Sequence, residues 1–84
     1  MTYTEAKARK QELEDAASQA GAAVRSYPRN AVGLVSDAVR VSPAYQADKA
    51  ASARAFRALQ VFNAAFVKTF ATERMEERRT STNA

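Results

Sequence analysis

Cysteine, histidine and tryptophan are absent from this chain of 84 residues. No disulfide can staple it, and zinc sites built on Cys or His ligands are excluded. The same absences remove the usual general base near neutral pH and the strongest side-chain nucleophile. A catalytic site would have to be assembled from carboxylates, Lys, Tyr or Ser, so a non-enzymatic protein without metal or cofactor is expected. Glycine is scarce too. Gly21 and Gly33 stand alone and far apart, which leaves no loop to cradle a phosphate with successive backbone N–H groups. No apolar stretch approaches the roughly 18 residues that a membrane span requires. Met1-Thr2-Tyr3-Thr4-Glu5 lacks the basic start and apolar run of a signal peptide. A cytoplasmic location is therefore expected.

What the chain does contain is alanine, arginine and large apolar residues at helical spacing, a usage that points to a high-GC bacterial or phage genome. Its length allows one domain. A single core of this size rarely supplies more than about 3–5 kcal/mol. With no disulfide and no zinc site, self-association is the remaining common support, and a homodimer is predicted.

Thr2-Tyr3-Thr4-Glu5 fits a capping box at the start of a first helix. Apolar or small residues recur at Tyr3, Ala6, Leu13, Ala17, Ala20, Val24 and Tyr27, three and four apart, with Lys10 interrupting. The spacing predicts a helix over about 3–27, ended by Pro28, which disfavours a helical Tyr27 and has no N–H. Its seam is built of Ala and Gly. Gly21 lowers helicity by roughly 1 kcal/mol against Ala, and close approach of another helix is the expected reason for it.

Residues 28–42 are too apolar for a solvated linker, with Val32, Leu34, Val35, Val39 and Val41. The expectation is short helical turns at about 30–35 and 37–41, the second capped by Ser36 or Asp37, folded back over the rest. Short strand is the alternative. Ser42 then serves as N-cap and Pro43 as first residue of a second long helix. On a wheel of 100° per residue, Phe62, Ala55, Phe66, Leu59, Phe70, Phe56 and Val67 gather on one side, with Arg54, Arg57 and Lys68 opposite. The pattern runs on to Met75 and Arg79, and residues 80–84 read as a disordered polar tail.

The predicted fold class is all-α: an antiparallel helical hairpin of residues 1–79 with a short helical connector packed across it. Placing residue 27 beside residue 43 brings Tyr3 level with about Val67. Phe70 and Met75 then outrun the first helix, and Phe66, Phe70 and Met75 are the expected protein interface, for a second copy or an unidentified protein partner.

Residues 16–72 carry seven basic side chains against Asp37 and Asp48, while both ends are near neutral. Such a basic body fits nucleic acid, and it also fits the solvated face of any small basic protein. No helix-turn-helix is legible. The alternative function is therefore backbone contact without sequence preference through Arg54, Arg57 and Lys68, with Arg25, Arg29 and Arg40 nearby. Asn63 interrupts the aromatic stripe, where a polar residue can fix register or oligomeric state. Tyr3, Tyr27 and Tyr45 read as aromatics at the edge of the core. The amphipathic second helix also fits a membrane surface, although the Ala-rich first helix supplies a protein partner for the same face. The leading expectation is a small helical interaction or adaptor module.

Overall fold

Thr2 starts the first helix as its neighbours predict. Its hydroxyl accepts the Glu5 backbone N–H at 3.1 Å, and the Glu5 carboxylate accepts the Thr2 N–H at 3.0 Å. Hydrogen bonding from Thr2, first through its backbone N–H and then through its side chain, holds the Glu5 carboxyl below its ordinary range. In the computed structural model, which describes the backbone of residues 1–83 and the side chains of 1–80, helix α1 runs Tyr3–Arg25. Ser26 closes it two residues before Pro28, its N–H bonded to the Ala22 carbonyl.

The connector divides into a turn and a helix. Asn30 accepts the N–H groups of Val32 and Leu34 on its side-chain oxygen, both at 3.0 Å. Its own N–H donates to the Leu34 carbonyl. Gly33 takes a φ of 84°, a conformation that side chains with a β-carbon resist. Together these pair Arg29 with Val35 in an antiparallel bridge. The helical turn expected at 30–35 is thus replaced by a tight turn, because an Asn that captures two backbone donors and a Gly with positive φ both favour turn over helix. The second turn is helical as expected: α2 is Asp37–Arg40, with the Ser36 hydroxyl accepting the Val39 N–H. Val35 is buried and Val39 half-buried, so the connector does pack on the hairpin, while Val32, Leu34 and Val41 face outward.

Helix α3 (Pro43–Thr69) starts at the Ser42 cap. It lies against α1 as the long antiparallel pair, and the all-α hairpin is confirmed. Buried apolar side chains are few: Ala6 and Ala17 of α1, Val35 of the connector, Tyr45 and Phe66 of α3. Tyr27 and Tyr45 close the connector end, edge to face at 5.1 Å, with the Tyr27 hydroxyl donating to Asp48 at 2.6 Å. That bond to a carboxylate raises the Tyr27 pKa above the usual phenol range. Lys10, the interruption in the α1 seam, is half-buried. Its Nζ sits 5.4 Å from the Phe66 ring centre and 3.6 Å from Glu14, so the charge meets a ring face on one side and a carboxylate on the other.

The long helix is not continuous to Arg79. It breaks at Phe70 (φ −111°, ψ 31°) and resumes as α4, Ala71–Asn83. Thr69 and Thr72, β-branched residues of modest helix propensity, flank the break. A straight helix would carry Glu77 about 10 Å beyond Phe70 at 1.5 Å per residue, away from the start of α1. Instead the Glu77 carboxylate accepts Lys7 Nζ at 2.6 Å and the Tyr3 hydroxyl at 3.2 Å. The mismatch in helix length is thus resolved within the chain by a bend. The polar tail expected at 80–84 falls where the backbone is helical through Asn83; Ala84 lies outside the described residues.

Three residues differ from their expected surroundings. Phe66 and Phe70 do not outrun α1: Tyr3 stacks on Phe66 at 5.7 Å and meets the tilted Phe70 ring at 5.5 Å, and Phe66 is 5% exposed. Gly21 is buried, but a β-carbon there would first meet the Arg25 guanidinium at 3.0 Å. A side chain one turn along its own helix, rather than α3, lies nearest that position.

Candidate functional site

Between Ala55 and Val67 only Arg57, Gln60 and Asn63 are polar. At 100° per residue, the apolar side chains of this stretch wrap about 240° of the helix. One antiparallel neighbour covers an apolar stripe of roughly 100° or somewhat more. Helix α1 accordingly buries the middle of the surface, where Phe66 is enclosed and Leu59 and Phe62 are half-buried. Both flanks remain outside.

The first flank is Phe56, Asn63 and Val67, spaced seven and four residues apart along one line of α3. Phe56 is 45% exposed and Val67 39%. Asn63, half-buried between them, makes no side-chain hydrogen bond among the described residues.

The second flank forms a groove of about 640 Å³ between α1 and α3. Leu13 supplies one wall, and Ala58, Val61, Phe62 and Ala65 supply the floor and other wall. Val61 is 65% exposed there. Arg9, Arg54 and Arg57 form its rim. Arg9 pairs with Glu12 at 3.0 Å, whereas Arg54 and Arg57 have no ion pair among the described residues.

Of the interface residues predicted from sequence, Phe66 and Phe70 serve the hairpin itself, and Met75 remains 59% exposed on α4. The three cations Arg54, Arg57 and Lys68 are all exposed on α3, and two of them border an apolar groove. The other arginines named with them are engaged locally. Arg25 covers Gly21, Arg29 donates to the Gly33 carbonyl at 3.0 Å, and Arg40 pairs with Asp37 at 3.3 Å. The groove was not anticipated, although its signal was present: Ala58, Val61 and Ala65 lie beside Phe62 on the wheel, away from the aromatic stripe.

A polar cleft of about 430 Å³ lies where α4 meets α1, around Tyr3, Lys7, Lys10, Glu14 and Glu77. The hydrogen bond from Lys7 holds the Glu77 carboxyl below its ordinary range and raises Lys7 above its own. Partial burial, and then the Glu77 carboxylate, raise the Tyr3 phenol. Both carboxylates of the cleft are already taken, Glu77 by Lys7 and Glu14 by Lys10, and Arg74 and Arg78 complete a lining of net positive charge. No helix among the described residues is long and apolar enough to cross a membrane. Compared with known proteins, the chain matches no family model, no curated protein and no solved structure.

Proposed function

We propose that this chain is a non-enzymatic helical interaction module that pairs with a second copy of itself along the α3 line of Phe56, Asn63 and Val67. The observation that carries the reading is the apolar wrap of α3, which is wider than one helix can cover. Surface area supports it. The chain exposes 6275 Å², against about 4,900 Å² for a compact monomer of this size. Its radius of gyration is 17.7 Å, against about 12 Å. The surplus of about 1,400 Å² exceeds the roughly 800 Å² that each partner gives to a standard interface. Two hairpins joined face to face make a four-helix bundle, a common way for short helices to complete a core. In a two-fold dimer the same patch meets itself, so Asn63 finds the amide of its mate, each able to donate and accept.

Size-exclusion chromatography with light scattering tests this across a dilution series. The expected result is a dimer that Phe56→Asp converts to a monomer of unchanged helicity. A wild-type chain that stays monomeric throughout, or a Phe56→Asp variant that stays dimeric, would overturn it.

A second reading is contact with nucleic-acid backbone, supported by the net charge of +4 and by Arg54 and Arg57 lacking acidic partners. It predicts duplex binding at about 50 mM salt that collapses as salt rises. Excess absorbance at 260 nm in the purified protein, removed by salt, would favour it.

A further inference from the structure

The groove between α1 and α3 lies on the flank of α3 opposite Phe56, so a dimer formed along Phe56, Asn63 and Val67 leaves it open. Its apolar lining calls for large apolar side chains, and its rim calls for negative charge. We propose that it binds an amphipathic helix of a different protein, one that presents Leu-like residues at i, i+3, i+4 and i+7 with acidic residues along the border that faces Arg54 and Arg57. This rests on reading the chain as an interaction module but not on its self-association.

The shape fits that occupant. A groove between two antiparallel helices is where a third helix packs, and helix-in-groove recognition reads this spacing of anchors. Arg54 to Ala65 spans about 16 Å at 1.5 Å per residue, room for three turns of a guest helix. The charges select its sign. Arg54 and Arg57 face the rim without acidic partners, and a guanidinium takes a carboxylate through two parallel hydrogen bonds.

A second copy does not supply that helix. Face-to-face pairing of two grooves would bring Arg9, Arg54 and Arg57 of both copies together. The outward side of α1, around Glu5, Glu12, Asp15 and Gln19, is acidic but carries no apolar side chain larger than alanine. Helix α4 offers Met75 alone, among charges of both signs. Complementarity across an interface sets which partners are accepted, and here it favours a foreign acidic helix.

Two synthetic helical peptides of equal length and identical Leu spacing supply the test, one bordered by Glu and one by Lys. Binding to the full chain is followed by fluorescence anisotropy at low and high salt. The Glu peptide should bind at least tenfold more tightly than the Lys peptide, and the preference should shrink with salt. Val61→Asp should abolish binding, and because Val61 is largely exposed the variant should keep its circular-dichroism spectrum. The double variant Arg54→Glu, Arg57→Glu should reverse the preference toward Lys. Equal affinity for both peptides, or an unreversed preference in the double variant, would overturn the proposal. So would duplex DNA displacing the Glu peptide, which would return the arginines to a nucleic-acid role. If Val61→Asp turned a free dimer into a monomer, the groove would hold a second copy instead. Failure of self-association is read separately, from Phe56→Asp, which leaves this groove intact.

Discussion

Phe66 is the residue on which the hairpin depends most. It meets Tyr3, Phe62, Phe70 and the Lys10 ammonium and is the largest side chain enclosed near the open end of the pair. Phe66→Ala should cost about 3–5 kcal/mol, which is all that a single core of this size supplies. Chemical denaturation should find the variant largely unfolded without denaturant. The two glycines should respond in opposite directions. Gly33→Ala forces a β-carbon onto a φ of 84°, at about 1–2 kcal/mol, although nothing crowds the site. Gly21→Ala meets only the mobile end of Arg25 at 3.0 Å; the guanidinium can swing away, and helix propensity then contributes about 0.5–1 kcal/mol. Melting temperature should fall for Gly33→Ala and rise for Gly21→Ala.

At the scale of elements, α4 is held to α1 chiefly by Glu77 against Lys7 and Tyr3, and both charged partners are about half-exposed. Pairs of this kind are weak and sensitive to salt. Their pH window follows from the shifts. Glu77 titrates below its ordinary value in the folded chain, so its contribution is present above the ordinary carboxylate pKa and is lost as pH falls through the lowered one. Lys7 titrates above its ordinary value, so its contribution is present below the ordinary lysine pKa and is lost as pH rises through the raised one. The latch should therefore hold across neutral pH and open at both extremes. A spin label on α4 should broaden NMR signals of the first turn of α1 at pH 7, and lose that effect near about pH 3. Glu77→Gln should weaken the effect at pH 7 and remove most of its acid dependence. Broadening that is unaltered between pH 7 and pH 3 would show that packing at Phe70, rather than the ion pair, fixes the bend.

For the whole molecule, the governing fact is a rod of 52 × 26 × 16 Å with one layer of helix on each side of its core. Such a shape cannot enclose the full apolar wrap of α3, and association should stabilise it by mass action. Melting temperature should rise with protein concentration for the wild type and become independent of it in Phe56→Asp. The groove makes a separate contribution. Saturation with the Glu-bordered peptide should raise the melting temperature of both proteins, because ligand and dimer occupy opposite flanks of α3.

The starts of α1, α2 and α3, the identity of the long elements and the antiparallel hairpin were legible in the chain. Capping groups at Thr2, Ser36 and Ser42, the prolines at 28 and 43 and the 3.6-residue spacing all act within a few residues. Even the level at which Tyr3 meets α3 follows from counting 1.5 Å steps back from the connector. What tertiary structure decided lies at the places where distant groups compete with local preference. Nothing near Phe70 except two threonines announces the bend, which joins Glu77 to Lys7 across 70 positions. The Asn30 turn outweighed a helical reading of 30–35 because two backbone donors converge on one side-chain oxygen. The groove at Val61 appears only once α1 is laid against α3, since the helical pattern tells which side chains share a face but not how much of that face a neighbour will cover.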